Sequence, residues 1–156
     1  MKTIFERLYV GDETSCRSGT ADTAVVHACK SPCHQRAVGY TGSLASSHPN
    51  YLILRTGNDL FLNLIDPPVP LFKLLSFTAF MEFAKEKYSA GASLLIHCNQ
   101  GGSRSPSLAL LFLAKHLKAI SQESFPVARA DFLGLYPSYR PGAGISRFLQ
   151  DNWHAL

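Results

Sequence analysis

The stretch from Ser93 to Pro106 constrains the fold more than any other part of the chain. Its apolar beginning, Ser93–Ile96, favours a buried strand. Ser105 and Pro106 favour the start of a helix, because a proline in the first helical turn loses no hydrogen-bond donor that the helix needs. The residues between them include two glycines and must turn sharply. The segment therefore predicts a strand, a tight loop and a helix in succession, a unit typical of α/β proteins.

Such a loop suits an anion and a reactive thiol. Successive backbone N–H groups can form an anion-binding nest, and the helix that follows adds its positive end. The same field favours a thiolate at Cys98, which should be nucleophilic. Arg104 offers a planar fork that can bind two phosphate oxygens. The residues expected to bind the oxyanion are Asn99, Gln100, Gly101, Gly102, Ser103 and Arg104.

Residues 97–105 read His-Cys-x-x-Gly-x-Ser-Arg-Ser. This pattern resembles the signature of the cysteine-dependent protein tyrosine phosphatase superfamily, and its Ser-Arg-Ser ending is most similar to the dual-specificity branch. The resemblance implies that Cys98 is the nucleophile and that Arg104 binds the phosphate. It also implies that Ser105 assists departure of the thiolate and that His97 is structural support. The whole pattern looks like a bacterial or phage-type offshoot of the family.

The same resemblance implies a general-acid aspartate on a separate loop upstream of the cysteine. Asp66 stands there, after the apolar stretch Leu60–Ile65 and before two prolines that end the strand. It would protonate the leaving group and then activate water. Two alternatives stay open from the residues alone: Asp66 as an ordinary turn residue, and Cys98 as an inert buried thiol.

Periodicity predicts a single α/β domain over residues 1–156. The expected strands are Thr23–Ala28, Tyr51–Arg55, Leu60–Ile65 and Ser93–His97, and the expected helices are Phe72–Tyr88, Pro106–Leu117, Gln122–Leu135 and Ile145–Trp153. This order predicts a mixed, mainly parallel central sheet with helices on both faces, the protein tyrosine phosphatase-like fold. The resemblance covers Leu60 to the end, where Pro141–Ile145 matches a family loop with Gly142 in place of asparagine. Leu8–Gly11 matches the family's opening strand.

Composition and charge are those of a small globular protein. The 156 residues carry a net charge of +4, with lysines and arginines scattered along the chain, so binding to nucleic acid is unsupported. Charged residues at Lys2, Glu6 and Arg7 argue against a signal peptide, and no apolar run approaches the ~18 residues that span a bilayer. We therefore expect a cytoplasmic protein without membrane contact.

The chain has four cysteines, which we expect to be reduced rather than paired in a disulfide framework. Cys29, Cys33 and His34, with His27 nearby, suggest a zinc site. Their spacing matches none of the usual patterns and no fourth ligand is evident, so we predict no metal site. A redox alternative stays open: Cys16, Cys29 or Cys33 could form a reversible disulfide with an oxidised Cys98.

These features predict a phosphomonoester hydrolase that works through a cysteinyl-phosphate and needs no cofactor. Its expected partner is a phosphorylated protein carrying phosphotyrosine, and phosphoserine or phosphothreonine if the pocket is shallow. The alternatives are a nucleotide, an RNA end, another small phosphorylated molecule, or a non-catalytic phosphate-binding module. The polar segment Ala28–Asn50 and the segment Pro137–Gly142 could contact substrate or merely form solvated turns. The sequence does not predict an oligomeric state.

Overall fold

A six-stranded mixed sheet forms the centre of the molecule. The structure is a computed structural model that describes all residues, Met1 to Leu156. The strands are β1 (Lys2–Phe5), β2 (Leu8–Gly11), β3 (Thr23–His27), β4 (Ile53–Thr56), β5 (Asp59–Leu62) and β6 (Ser93–His97), in the spatial order β1-β2-β6-β3-β5-β4. The inner pairs β2–β6, β6–β3 and β3–β5 are parallel, and the two edge pairs are antiparallel. The carboxyl ends of β2, β3, β5 and β6 therefore meet at one edge.

Four helices cover one face of this sheet and a short helix lies on the other. The helices are α1 (Gln35–Val38), α2 (Leu74–Ser89), α3 (Arg104–Phe112), α4 (Phe125–Leu135) and α5 (Ala143–Asn152). Helices α2 and α3 pack on the sheet, α4 packs on α3, and α5 packs on α4. None of these helices combines the length and the hydropathy that a membrane crossing requires.

Strand alternation separates the two faces chemically, because successive side chains of a strand point to opposite sides. The face beneath α2 and α3 carries the aliphatic core, to which Leu8, Val10, Ala24, Val26, Leu60, Leu62, Leu94 and Ile96 contribute. The opposite face ends in His27 and His97, which the parallel pairing of β3 and β6 sets side by side. Cys16, after β2, and Cys33, before α1, lie against these histidines. The two segments that carry Cys16 and Cys33 therefore cover the second face and place their thiols next to the imidazole rings of His27 and His97.

The predicted mixed, mainly parallel sheet with helices on both faces is confirmed. The strands predicted at Tyr51–Arg55 and Leu60–Ile65 form the antiparallel pair β4–β5, which turns at Gly57, whose φ is +58°. The predicted helix over Gln122–Leu135 begins later, at Phe125, because the Ser124 side chain caps it by accepting the Val127 N–H.

Three other predicted helices differ in their bounds. The helix predicted from Phe72 begins at Leu74, and the last helix begins at Ala143 rather than at Ile145. The helix predicted over Pro106–Leu117 begins at Arg104 and continues after Phe112 as a π-helical segment, Leu113–Leu117. Strand β1 had no periodic signal, since Ile4 is its one buried residue.

Candidate active site

The loop from Cys98 to Arg104, which we name the cradle, joins β6 to α3 at the carboxyl edge of the sheet. It folds over the end of β2: the Cys98 N–H donates to the Gly11 carbonyl at 3.3 Å, and the Ser105 hydroxyl donates to the same oxygen at 3.1 Å. Gly101 has a φ of +69°, and a Cβ there would lie 3.3 Å from the Gly11 oxygen. Glycine is therefore required at this position both for its conformation and for the close approach.

Five of the seven backbone amides of the cradle are free of protein acceptors. The N–H groups of Asn99, Gln100, Gly102, Ser103 and Arg104 make no hydrogen bond within the protein. The N–H of Gly101 donates to Cys98 Sγ at 3.3 Å. Gln100 is exposed, but the other four residues are partly buried, and backbone donors at such positions are nearly always paired. Their unpaired amides, in the loop that begins at Cys98, therefore indicate a place for an anion.

A segment after α4 sets the orientation of these amides. The Tyr136 hydroxyl donates to the Gly101 carbonyl at 2.9 Å, and the Arg140 N–H donates to the Gly102 carbonyl at 2.8 Å. Because a peptide unit is planar and trans, the N–H groups of Gly102 and Ser103 point the opposite way. Burial raises the pKa of Tyr136, so its phenol retains the proton that it donates. Within the segment Pro137–Gly142, for which the sequence leaves substrate contact and a solvated turn both open, Arg140 therefore supports the cradle from outside.

Cys98 lies at the floor of the cradle, with only 2% of its surface exposed. Its Sγ is 3.1 Å from Ser105 Oγ. The Ser105 hydroxyl has one proton, which it can give to the Gly11 carbonyl or to the sulfur. When the sulfur carries a negative charge, the hydroxyl can turn and donate to it.

Arg104 is held across the cradle rather than turned outward. Its Nη1 donates to the Leu64 carbonyl at 3.0 Å and its Nη2 donates to Asn99 Oδ1 at 2.8 Å. The Asn99 amide in turn donates to the Ser31 carbonyl at 2.9 Å. The Nε–H of Arg104 is buried without a protein partner. A fixed guanidinium with one buried free donor is suited to an oxyanion.

The Asp66 side chain lies at the rim of the cradle, on the loop between β5 and α2. The residue is exposed, and a Cβ built on Gly142 would come within 2.5 Å of its Oδ1. The Gly142 N–H donates to Ser103 Oγ at 2.9 Å. The missing side chain at Gly142 therefore gives the carboxyl room beside the cradle. Gly144 similarly allows the carbonyls of Pro67 and Val69 to approach α5.

His97 makes its hydrogen bond away from the cradle. Its Nε2 lies 2.8 Å from His27 Nδ1, and His27 Nε2 lies 2.9 Å from Asp59 Oδ1. The His97 Nδ1 is buried without a partner. Burial lowers the pKa of His97 to about 4 and also lowers the pKa of His27, so both rings are neutral at neutral pH. The side chain predicted to support the cradle thus contacts the second face of the sheet.

The residues that suggested a zinc site do not all converge. Cys29 is not part of the cluster of ligand atoms, and His34 is engaged elsewhere, with its nitrogens 2.9 Å from the Tyr40 hydroxyl and 2.9 Å from the Asn50 carbonyl. His27 and Cys33 instead lie with two further residues, and we name the group the rear cluster: Cys16, His27, Cys33 and His97, whose ligand atoms all lie within 4.8 Å of one another. Sequence reasoning missed this cluster because its members come from four separate segments.

Among the predicted site residues, Cys98, Arg104, Ser105 and the glycines lie together, and Asp66 lies beside them. Gln100 is exposed at the mouth of the cradle. The sulfurs of Cys16 and Cys33 are 3.5 Å apart, so these two thiols face each other rather than Cys98. One residue of the polar segment Ala28–Asn50 contacts the cradle, since the Ser31 carbonyl accepts the Asn99 amide.

Comparison with known proteins identifies the fold. No protein-family model matches the chain, and a search of curated proteins finds no relative. Solved structures match along almost the whole chain. Human tyrosine phosphatase-like serine/threonine/tyrosine-interacting protein is 16% identical, with a TM-score of 0.66 over 98% of this chain and 95% of that one.

Two further structures have the same architecture. Human DUSP28 is 18% identical, with a TM-score of 0.63 over 98% of this chain and 92% of its own. The Yvh1 phosphatase domain from Chaetomium thermophilum is 16% identical, with a TM-score of 0.61 over 96% of this chain and 91% of its own. The chain therefore has the dual-specificity phosphatase fold. A bacterial or phage origin receives no support from these eukaryotic neighbours.

Proposed function

We propose that this protein is a cysteine-dependent phosphatase that hydrolyses phosphomonoesters through a cysteinyl-phosphate. The observation that carries the proposal is the set of unpaired amides of the cradle around Cys98 Sγ, closed by Arg104 with its free Nε–H. A phosphate has the charge and the number of acceptor oxygens to pair with these donors. The fold shared with dual-specificity phosphatases agrees with this assignment.

In the first step the Cys98 thiolate attacks phosphorus. The S–P bond forms as the ester P–O bond breaks, and the carboxylic acid of Asp66 gives its proton to the departing oxygen. The cradle amides and Arg104 bind the equatorial oxygens as charge develops in the transition state. Asp66 at the rim, beside Gly142, can reach a leaving group that projects from the cradle.

In the second step water attacks the phosphorus of the cysteinyl-phosphate. The Asp66 carboxylate accepts a proton from the water, the S–P bond breaks, and inorganic phosphate leaves. The electron pair returns to Cys98 Sγ, where the Ser105 hydroxyl, 3.1 Å away, donates to the new thiolate. The hydroxyl exchanges its acceptor, the Gly11 carbonyl, for the sulfur. This exchange stabilises the leaving thiolate through a hydroxyl in the first turn of α3, directly after the cradle.

The substrate that we propose is a phosphorylated protein side chain, phosphotyrosine first. Apolar side chains are exposed on the loop between β5 and α2, which carries Asp66: Ile65 is 50% exposed and Leu71 is 69% exposed. Exposed apolar groups at the mouth of a site favour an occupant that buries them, and a polypeptide beside the phosphate does so. All four cysteines are free thiols, which suits the reducing cytoplasm.

The test is turnover of an aryl phosphate and of phosphotyrosine peptides by the purified protein without added metal. Cys98→Ser should abolish turnover while binding of tungstate, a phosphate-like oxyanion, persists, because the amides and Arg104 are intact. Rapid quenching of the wild type followed by mass spectrometry should find a phosphoryl group on Cys98. Cys29→Ser, a second buried cysteine, is the matched control and should retain turnover. Activity that survives Cys98→Ser would contradict the mechanism.

A further inference from the structure

The rear cluster has no role in the proposed hydrolysis, yet its side chains converge. Cys16 Sγ lies 3.5 Å from Cys33 Sγ and 3.9 Å from His27 Nδ1. His27 Nδ1 lies 2.8 Å from His97 Nε2. All four ligand atoms are within 4.8 Å of one another. Cys16 is exposed, so its position is not explained by packing in the core.

We infer that Cys16, His27, Cys33 and His97 form a tetrahedral binding site for a zinc ion. Two thiolates and two neutral imidazoles are a common ligand set for structural zinc. Zn–S and Zn–N bonds of about 2.3 Å and 2.05 Å place tetrahedral ligand atoms about 3.3 to 3.8 Å apart. The separations of 3.5, 3.9 and 2.8 Å bracket this range. Binding the ion requires the two imidazoles to part by roughly half an ångström and the most distant ligand atoms, up to 4.8 Å apart, to approach by as much as about 1 Å.

The outer contacts of His27 fit the same site. Asp59 Oδ1 lies 2.9 Å from His27 Nε2 and also accepts the Gly19 N–H at 2.8 Å, so the carboxylate is fixed in place. The ring is further held by stacking on Phe61, with centroids 4.2 Å apart. Because the Asp59 carboxylate accepts a hydrogen bond from His27 Nε2–H, the proton stays on Nε2 and the lone pair on His27 Nδ1 is directed at the cluster. This carboxylate–histidine arrangement is typical of metal sites.

The fold supplies both rigidity and access. His27 and His97 are register partners at the ends of β3 and β6, and the two cysteines come from the loops that close the second face. A cavity of about 300 Å³ is lined by Cys16, His27 and Cys33 and gives an ion a route from solvent. With four protein ligands there is no open position, so the ion would be structural rather than catalytic.

A bound ion would stabilise the cradle from the second face of the sheet, because two of its ligands lie close to the cradle in sequence or through contacts. His97 precedes Cys98 directly, and Cys33 follows two residues after Ser31, whose carbonyl holds the Asn99 side chain. An ion that links these two segments would therefore fix the cradle from behind, while the segment after α4 fixes it from outside. Ion binding itself does not depend on the proposed hydrolysis.

The test begins with reduced, metal-free wild-type protein titrated with Co²⁺ and then with Zn²⁺. One equivalent of Co²⁺ should give the intense visible bands of a tetrahedral site and near-ultraviolet thiolate charge-transfer bands, and Zn²⁺ should displace it. Elemental analysis of protein purified without chelators should find one zinc per chain. Asp59→Asn should weaken Zn²⁺ binding by about 10- to 100-fold, the usual cost of an outer-shell change.

Matched cysteine variants assign the ligands. Cys16→Ser and Cys33→Ser should weaken Zn²⁺ binding by more than Asp59→Asn does, and the charge-transfer bands should fall. Cys29→Ser, a cysteine outside the rear cluster, should keep one equivalent. Because Cys16 is exposed, its serine variant should fold, which a thermal melt of the metal-free proteins checks.

The inference is overturned if the reduced wild type binds less than one equivalent or if Cys16→Ser binds Zn²⁺ as tightly as the wild type. It is also overturned if Cys16 and Cys33 form a disulfide and the protein binds no metal after reduction. Cys98→Ser separates the two proposals, since it should lose turnover and keep the zinc. Loss of zinc in the rear variants with persisting turnover would support the site and leave the hydrolase proposal standing.

Discussion

The cradle and the rear cluster occupy the same edge of one sheet, back to back, and they are built in opposite ways. The cradle is one continuous stretch, Cys98 to Arg104, in which the Gly102 and Ser103 amides point away from the segment that supports it. The rear cluster is drawn from four segments and exists only because β3 and β6 pair in register. His97 and Cys98 are adjacent in sequence, but the His97 side chain belongs to the rear cluster and the Cys98 side chain belongs to the cradle.

The difference lies in the kind of group that converges. Around Cys98 the cradle gathers donors that have no protein acceptors, so that side is complementary to an anion. Behind it, the rear cluster gathers lone pairs from sulfur and from imidazole nitrogen, so that side is complementary to a cation. Substitutions on the anion side should change turnover without changing metal content.

The substitution expected to separate the two sides most strongly is Arg104→Lys. A lysine keeps the positive charge but loses the fork that spans the Leu64 carbonyl and Asn99 Oδ1, along with the free Nε–H. We expect kcat/KM to fall on the order of 10³-fold and zinc content to stay at one equivalent. Arg147→Lys, at an exposed ion pair on α5, is the control and should change neither quantity. A comparable loss of zinc would show that the two sides are not independent.

Asp66→Asn tests the proposed acid on the anion side. Alkyl phosphates, which are poor leaving groups, should lose about 10²-fold in kcat because they need the proton, and activated aryl phosphates should lose much less. Asp22→Asn, at another exposed position, should leave both substrates unaffected. Steady-state rates on the two substrate types measure the ratio. Equal losses on both would remove Asp66 from the acid role.

Sequence reasoning reached the cradle because its chemistry is local. The strand, the glycine turn and the helix start follow one another in the chain, so the pattern alone placed Cys98, Arg104 and Ser105 together. Asp66 came only from the resemblance, since no local rule links it to Cys98. Its neighbour Gly142 was visible as a departure from the family pattern, but the space that this glycine leaves for the carboxyl depends on tertiary packing.

The rear cluster lay beyond sequence reasoning for a physical reason. The sequence indicates Cys33 and His27 as zinc-ligand candidates, but it gives no sign of their partners in space. These partners are His97, which belongs to the cradle motif, and Cys16, which lies in an irregular loop. Strand register brings His97 beside His27, and register depends on which strands pair in space. The short edge strand β1 and the short helix α1 likewise have no periodic signal, because β1 buries one residue and α1 buries none.

Of the substitutions proposed, Gly142→Ala should have the smallest measurable effect on turnover. Its φ of −59° suits alanine, but the new Cβ would lie 2.5 Å from Asp66 Oδ1 and push the exposed carboxyl away. Because misplacing a catalytic group by about 1 Å is costly, we expect roughly a tenfold loss on alkyl phosphates. Stability should change by less than about 1 kcal/mol, and zinc content should not change.

Gly134→Ala, in α4 with open space around its Cβ, is the matched control for this glycine change and should leave turnover unaffected. If Gly142→Ala lowers rates on aryl and alkyl phosphates equally, the Cβ disturbs the Gly142 N–H that donates to Ser103 Oγ rather than the acid. A selective loss on alkyl phosphates instead places Asp66 at the leaving group. The same variant thus distinguishes the support of the cradle from the proposed acid at its rim, because Gly142 lies against both Ser103 and Asp66.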